Sequence, residues 1–169
     1  MNYGIVMLQS HCLKICYALR VCISGQLPSI FCYLCGINTS KYSYNANTMK
    51  NQATVIVGHG SKSPEAVKNF EAIVKLVNDK LGAKVYGAHM ELAAPTIEET
   101  VEKLWNEGVT DFFIIPYFLY QGNHIKFDIP EILSKLQAEH PGMTCTMAKH
   151  IGEESLMADI LIKRIAEVQ

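Results

Sequence analysis

Residues 111–124 read Asp111-Phe-Phe-Ile-Ile-Pro-Tyr-Phe-Leu-Tyr-Gln-Gly-Asn-His124, and they open on the most apolar run in the chain. A strand this uniformly apolar is covered on both faces, as a central strand of a parallel sheet is. Pro116 cannot donate to a strand ladder, so the strand proper ends near it. His124 follows in a polar Gln-Gly-Asn-His loop. A second run, Ala53-Thr-Val-Ile-Val-Gly-His-Gly-Ser61, has the same form: β-branched residues, a glycine, then a histidine just past the strand end.

Working outward from these two runs, strands alternate with helices. Pro64 and the apolar positions Val67, Phe70, Ile73, Val74 and Val77 predict a helix after the first strand. Lys84–Met90 reads as the next strand. Pro95 stands at a helix start, Ile97, Val101, Leu104 and Trp105 share one face, and Gly108 closes that helix. Asp128–His140 forms a third helix, stopped by Pro141-Gly142, with Ile129, Ile132, Leu133 and Leu136 inward. Met143–Ala148 is a fourth strand, and Glu153–Val168 a fourth helix carrying Leu156, Ile160, Leu161 and Ile165. Right-handed crossovers then give an α/β fold: a four-stranded parallel sheet in the order 2-1-3-4, with helices on both faces. In that order the first three strand ends are adjacent, so His59, Glu91 and His124 share one crevice, where open α/β sheets place their ligands. A unit this small leaves a shallow cleft, and another subunit can supply its second wall.

Charge and cysteine divide the chain at residue 48. Residues 1–48 contain Lys14, Arg20 and Lys41 and no acid, so the remaining 121 residues hold 12 basic and all 16 acidic residues, a net near −4. That balance argues against a nucleic-acid surface. Cys12, Cys16, Cys22, Cys32 and Cys35 all precede residue 49, leaving only Cys145 beyond it, whereas a disulfide scaffold would spread them. Cys32 and Cys35 form one CxxC, but no second pair or spaced histidines follow to complete a zinc site. Lys14, Arg20, Gln26 and Pro28 interrupt the apolar stretch before any span reaches the ~20 residues that cross a membrane. Its charges also lie in the wrong place for a secretory signal. Met49 reads like the natural opening of a domain. The expected organisation is therefore a poorly ordered, Cys-rich extension at 1–48, in the manner of sequence upstream of a misassigned start, and an α/β domain at 49–169. A cytoplasmic protein is expected, with an organelle transit peptide at 1–48 as the rival.

Gly58-His59-Gly60-Ser61 has the glycines of a phosphate or hydrolase loop. It lacks the Gly-Lys-Ser/Thr of a P-loop and the Gly-x-Ser-x-Gly of a nucleophile elbow. The group presented at the turn is an imidazole, able to bind metal or take a proton; the plainer role is a capping histidine. A lone loop histidine like His124 is ordinarily solvated, but placed opposite His59 it becomes a candidate ligand. Glu91 is an acid inside an apolar run, where an unpaired charge is costly; the alternative is that it caps the helix at Pro95. His89 reads as a core histidine. His150 lies at the same rim, and His11 and His140 carry no supporting context. Tyr117, Phe118 and Tyr120 can line a flat cleft or simply pack. Lys62 and Lys126, solvated by default, sit beside the two histidines, where they can meet carboxylates.

Three ordered motifs carry a resemblance: Val-Gly-His-Gly-Ser at 57–61, Met-Glu-Leu-Ala-x-Pro-Thr-Ile at 90–97, and Ile-Pro-Tyr-Phe-Leu-x-x-Gly-x-His-x-Lys-x-Asp-Ile-Pro at 115–130. Together they resemble the class II chelatases, in the small single-lobe sirohydrochlorin cobaltochelatase form, over residues 52–168. The resemblance implies insertion of cobalt, nickel or ferrous iron into sirohydrochlorin on the way to cobalamin, siroheme or a nickel tetrapyrrole. It carries the metal-binding histidines onto His59 and His124 and the acidic helper onto Glu91, with Ser61, Lys62, Tyr120 and Lys126 expected to meet the macrocycle. It also implies a homodimer. Lys62 stands where arginine is common and His89 where an aromatic is common. The cysteine-rich residues 1–48 have no counterpart.

The chemistry of insertion fits these residue types. Two neutral imidazoles hold Co²⁺, Ni²⁺ or Fe²⁺ loosely enough to hand it on, and an imidazole or Glu91 can accept the pyrrole protons. No permanently bound cofactor is expected, because metal and macrocycle are both substrates. The competing reading is a metal or tetrapyrrole carrier that uses the same histidines without turnover. A hydrolase built on His59 is a third, weakened by the missing nucleophile elbow.

Overall fold

β-branched residues pack well on a pleated, buried surface, and Gln52–Gly58 accordingly forms the central strand β1 of the computed structural model, which describes residues 51–169. The readings made on residues 1–48 lie outside the described residues. Val85–His89 (β2) and Asp111–Pro116 (β3) flank β1 on either side, and Thr144–Met147 (β4) pairs with β3. All pairings are parallel and the order is β2-β1-β3-β4, as the alternation predicts. β3 ends at Pro116.

Pro64–Leu81 (α1) covers one face, packing Phe70 and Val74 against Ile56 and Val85. The Asn78 side chain bonds both the amide and the carbonyl of Val85, which pins the end of α1 to the start of β2. Ile97–Asn106 (α2) and Ile129–Glu139 (α3) cover the other face. Ile97, Val101, Leu104, Ile129, Leu133 and Leu136 meet Val55, Val57, Phe112 and Ile114 there. Burying such side chains is worth about 1.5–3 kcal/mol each, against about 1 kcal/mol for a cap. Packing therefore decides how a helix lies, and the cap decides where it begins.

That distinction corrects two expectations. α2 does not start at Pro95: Thr96 is its cap, and Thr96 and Glu99 exchange hydrogen bonds in a capping box. Pro95 precedes the helix, where its carbonyl accepts from the His89 amide at 2.8 Å. Glu91 consequently caps nothing. The last helix, Ser155–Ala166 (α4), buries no residue. Leu156, Ile160, Leu161 and Ile165 are 50% to 68% exposed. Among the described residues no helix is long and apolar enough to cross a membrane.

Cys145 lies in β4, and burial pushes its thiol up to about 11. Thiolate is the reactive form, so Cys145 is expected to react with iodoacetamide at pH 8 at least tenfold more slowly in the folded chain than after unfolding. Peptide mass spectrometry after timed alkylation measures it, and equal rates contradict the burial argument.

Candidate metal centre at the strand carboxyl ends

Backbone pairing of β1 and β2 continues past both strands. The Met90 amide donates to Gly58 O at 2.8 Å and the Glu91 amide to His59 O at 3.1 Å. These bonds set Glu91 beside His59, with the carboxylate Oε1 3.3 Å from His59 Nε2. Beyond Glu91 the chain reverses through Leu92, a non-glycine residue at φ 63, and the Ala93 amide donates back to Glu91 O. Gly60 turns at φ 93 directly beneath this loop. A Cβ built there would lie 1.7 Å from Glu91 O, so only glycine fits.

His124 is not in a loop, as its polar neighbours predict, but begins a π-helical turn, His124–Asp128, that runs into α3. The Ile129 amide bonds His124 O, five residues back. Such turns are rare and concentrate at functional sites. This one brings Asp128 Oδ2 to 2.5 Å from His124 Nδ1. A carboxylate on one ring nitrogen fixes the tautomer and leaves the other nitrogen free to ligate. His59 Nδ1 likewise faces an acceptor, the Gly60 carbonyl, at 3.3 Å.

The two imidazoles meet edge to face, centroids 5.0 Å apart, with Phe118 6.4 Å from each. His59, Glu91 and His124 each offer one donor atom within 4.8 Å of the other two. All three side chains are partly open to solvent, so an ion can enter and leave. Two nitrogens and one carboxylate suit a borderline divalent ion.

The remaining expected site residues are dispersed. Ser61 lines a recess of about 230 Å³ with His59, Phe70, His89 and Tyr117, and its hydroxyl accepts from the Ser63 amide. Lys62, Tyr120 and Lys126 are exposed and make no side-chain hydrogen bond or ion pair among the described residues. His150 makes none either. Asp128 is not among the residues the sequence singles out, although its i, i+4 spacing from His124 is visible there.

His89 is a core residue, 3% exposed, packed at a tilt against Phe70 with ring centroids 4.8 Å apart, and its Nδ1 has no partner. Burial pulls its pKa below the ordinary 6.5, opposed by the weaker attraction of Glu71. A histidine held neutral in the fold but free to protonate when unfolded stabilises fully above about pH 6.5, and that stability is lost as pH falls toward the folded pKa. His89→Phe removes both the orphaned nitrogen, worth about 1–3 kcal/mol, and the titration. Thermal melts at pH 7 and pH 5 are expected to show a more stable variant with a smaller acid loss. A variant no more stable than wild type at pH 5 contradicts this.

A family model described as CbiX matches residues 53–168. The chloroplastic sirohydrochlorin ferrochelatase of Arabidopsis thaliana is 31% identical over 112 residues, 66% of this chain and 50% of that protein. The sirohydrochlorin cobaltochelatase of Methanosarcina acetivorans is 34% identical over 119 residues, 66% of this chain and 92% of that protein. The chain thus spans about half the length of the plant relative and nearly all of the Methanosarcina one. Among solved structures, the sirohydrochlorin chelatase SirB from Bacillus subtilis subspecies spizizenii in complex with cobalt superposes with a TM-score of 0.65 at 28% identity. The match covers 70% of this chain and 51% of that one. SirB from Bacillus subtilis with Fe³⁺ gives 0.64 at 27%, covering 70% and 47%.

Proposed function

The chain belongs to the CbiX family, and on that footing we propose that it is a sirohydrochlorin chelatase, a lyase that inserts Co²⁺, Ni²⁺ or Fe²⁺ in cobalamin- or siroheme-type tetrapyrrole biosynthesis. The observation that carries this reading is the convergence of His59, Glu91 and His124 donor atoms within 4.8 Å. Cobalt and iron in the two SirB structures support metal as substrate.

The residues divide the work. His59 and His124 present Nε2 to the incoming ion, each with Nδ1 engaged by an acceptor, Gly60 O or Asp128. Few ligands at an open rim hold the ion loosely enough for the macrocycle nitrogens to compete. Insertion expels two pyrrole protons: Glu91, beside His59, accepts one, and an imidazole nitrogen freed as the ion leaves accepts the other. Phe118 and Tyr117 offer aromatic surface to the ring. Ser61, Lys62, Tyr120 and Lys126 at the rim are proposed to meet its periphery, the lysines pairing with its carboxylates.

We propose that residues 49–169 suffice for this activity and that the protein works as a cytoplasmic homodimer. Two features support the dimer: longer relatives about twice the matched length, and the exposed apolar residues of α4. Ile160→Asp is expected to convert a dimer into a monomer in light scattering. An unchanged dimer mass excludes α4 as the interface, and a monomeric wild type excludes the dimer.

The chelatase test is anaerobic. Protein at one-twentieth of the sirohydrochlorin concentration is mixed with each metal, and absorbance is followed against a protein-free control. Complete conversion faster than the control is expected. Conversion that stops at one equivalent per site identifies a carrier instead.

A further inference from the structure

The strand amino ends, opposite the His59 rim, gather a second set of ligand-type side chains. Glu102 of α2 meets Glu139 and His140 at the end of α3, and each offers one donor atom within 4.8 Å of the other two. We propose that Glu102, Glu139 and His140 form a second divalent-cation site, for ions such as Co²⁺, Ni²⁺, Fe²⁺ or Zn²⁺. It lies a strand length, roughly 20 Å, from the proposed chelatase centre.

Backbone geometry builds the cluster. Consecutive residues on a helix do not face one another, but His140 has left the helix, at φ −122 and ψ 87, which swings its ring to the side of Glu139. Its amide still donates to Leu136 O, and its carbonyl accepts from the Met143 amide. The ring is four-fifths covered, packs on Trp105 at a centroid distance of 5.0 Å, and sets Nε2 2.6 Å from Glu102 Oε1. An imidazole locked in this way is preorganised as a ligand.

Charge is incompletely balanced. Two carboxylates converge, and besides His140 the cation paired with them among the described residues is Lys135, 3.9 Å from Glu139. With a neutral imidazole, the site holds two negative charges against one loosely placed lysine. A divalent ion supplies the missing charge, taking the imidazole nitrogen and two carboxylate oxygens, a donor mix suited to first-row metals. The ion would tie α2 to α3 across the sheet's amino end.

Trp105 is the sole tryptophan of the chain and touches the proposed ligand, so its fluorescence reports occupancy. The full chain is titrated with Ni²⁺ and, separately, Co²⁺, paramagnetic ions that quench a nearby indole. Saturable quenching is expected, with affinity at least tenfold weaker in Glu102→Gln, which keeps the shape and removes the charge, and no saturable quenching in His140→Ala. His59→Ala is expected to leave the titration unchanged, so this site and the chelatase reading fail separately. Circular dichroism checks each fold; should His140→Ala not fold, Glu102→Gln and Glu139→Gln decide. Absence of quenching up to millimolar metal, quenching indifferent to these substitutions, or quenching abolished by His59→Ala each overturns the proposal.

Discussion

On the proposed function, His59→Ala and His124→Ala are each expected to reduce sirohydrochlorin metallation to the protein-free rate while leaving the fold intact. Both imidazoles stand partly exposed at the sheet rim and neither belongs to the core cluster, so removing either leaves packing nearly untouched. What remains is one imidazole and a carboxylate, too few donors to hold the ion at the place where the macrocycle collects it. Asp128→Asn should have an intermediate effect. It keeps the shape but loses the charge on His124 Nδ1, and substitutions of this kind cost about 10–100-fold. Initial rates for the three variants, alongside far-ultraviolet circular dichroism, measure this ordering. Wild-type rates in both histidine variants would remove the basis of the proposed mechanism.

Gly60→Ala is expected to be the most damaging small substitution in the domain. Gly60 and Gly108 share φ 93, yet a Cβ at Gly108 meets nothing within 4 Å, whereas at Gly60 it lands 1.7 Å from the Glu91 carbonyl oxygen. Gly108→Ala therefore costs only the left-handed backbone, on the order of 1–2 kcal/mol. Gly60→Ala must in addition displace the backbone that positions Glu91. Its cost should exceed about 4 kcal/mol, the range reserved for severe core or backbone disruption, or else the 90–95 loop moves and activity is lost. Denaturant unfolding and turnover of the pair separate strain from collision. Equal stabilities with retained activity in both would contradict the geometry.

Much of this site is legible in the sequence alone. Strand order follows from the regular alternation of short apolar runs with amphipathic helices. Once β1 lies between β2 and β3, residues just past the three strand ends have to meet, and His59, Glu91 and His124 do. The partners that orient them were harder to read. Asp128 reaches His124 inside a turn whose backbone bond runs five residues, from the Ile129 amide to His124 O, and no apolar periodicity announces a π-helical turn. Glu91 reads as a possible cap because Pro95 follows it. The Thr96-x-x-Glu99 capping box, visible in the sequence, points to a later helix start. The Glu102–Glu139–His140 cluster joins residues far apart in the chain, and its geometry depends on His140 leaving the helix. α4 carries helical apolar spacing without burying any of it, since periodicity records that a face is apolar and says nothing of what covers it.

On the proposed mechanism, one divalent ion sits between His59 and His124 and is passed from there to the macrocycle. Its most direct test loads the protein with Co²⁺ under anaerobic conditions and isolates the part of the cobalt visible absorption that His59→Ala removes. Metal-free sirohydrochlorin is then added in a stopped-flow spectrometer. This signal is expected to decay at the same rate at which cobalt-sirohydrochlorin appears, and His124→Ala is expected to lack it as well. A cobalt signal identical in wild type and both histidine variants, or a macrocycle that fills while the bound-cobalt signal persists, would contradict it.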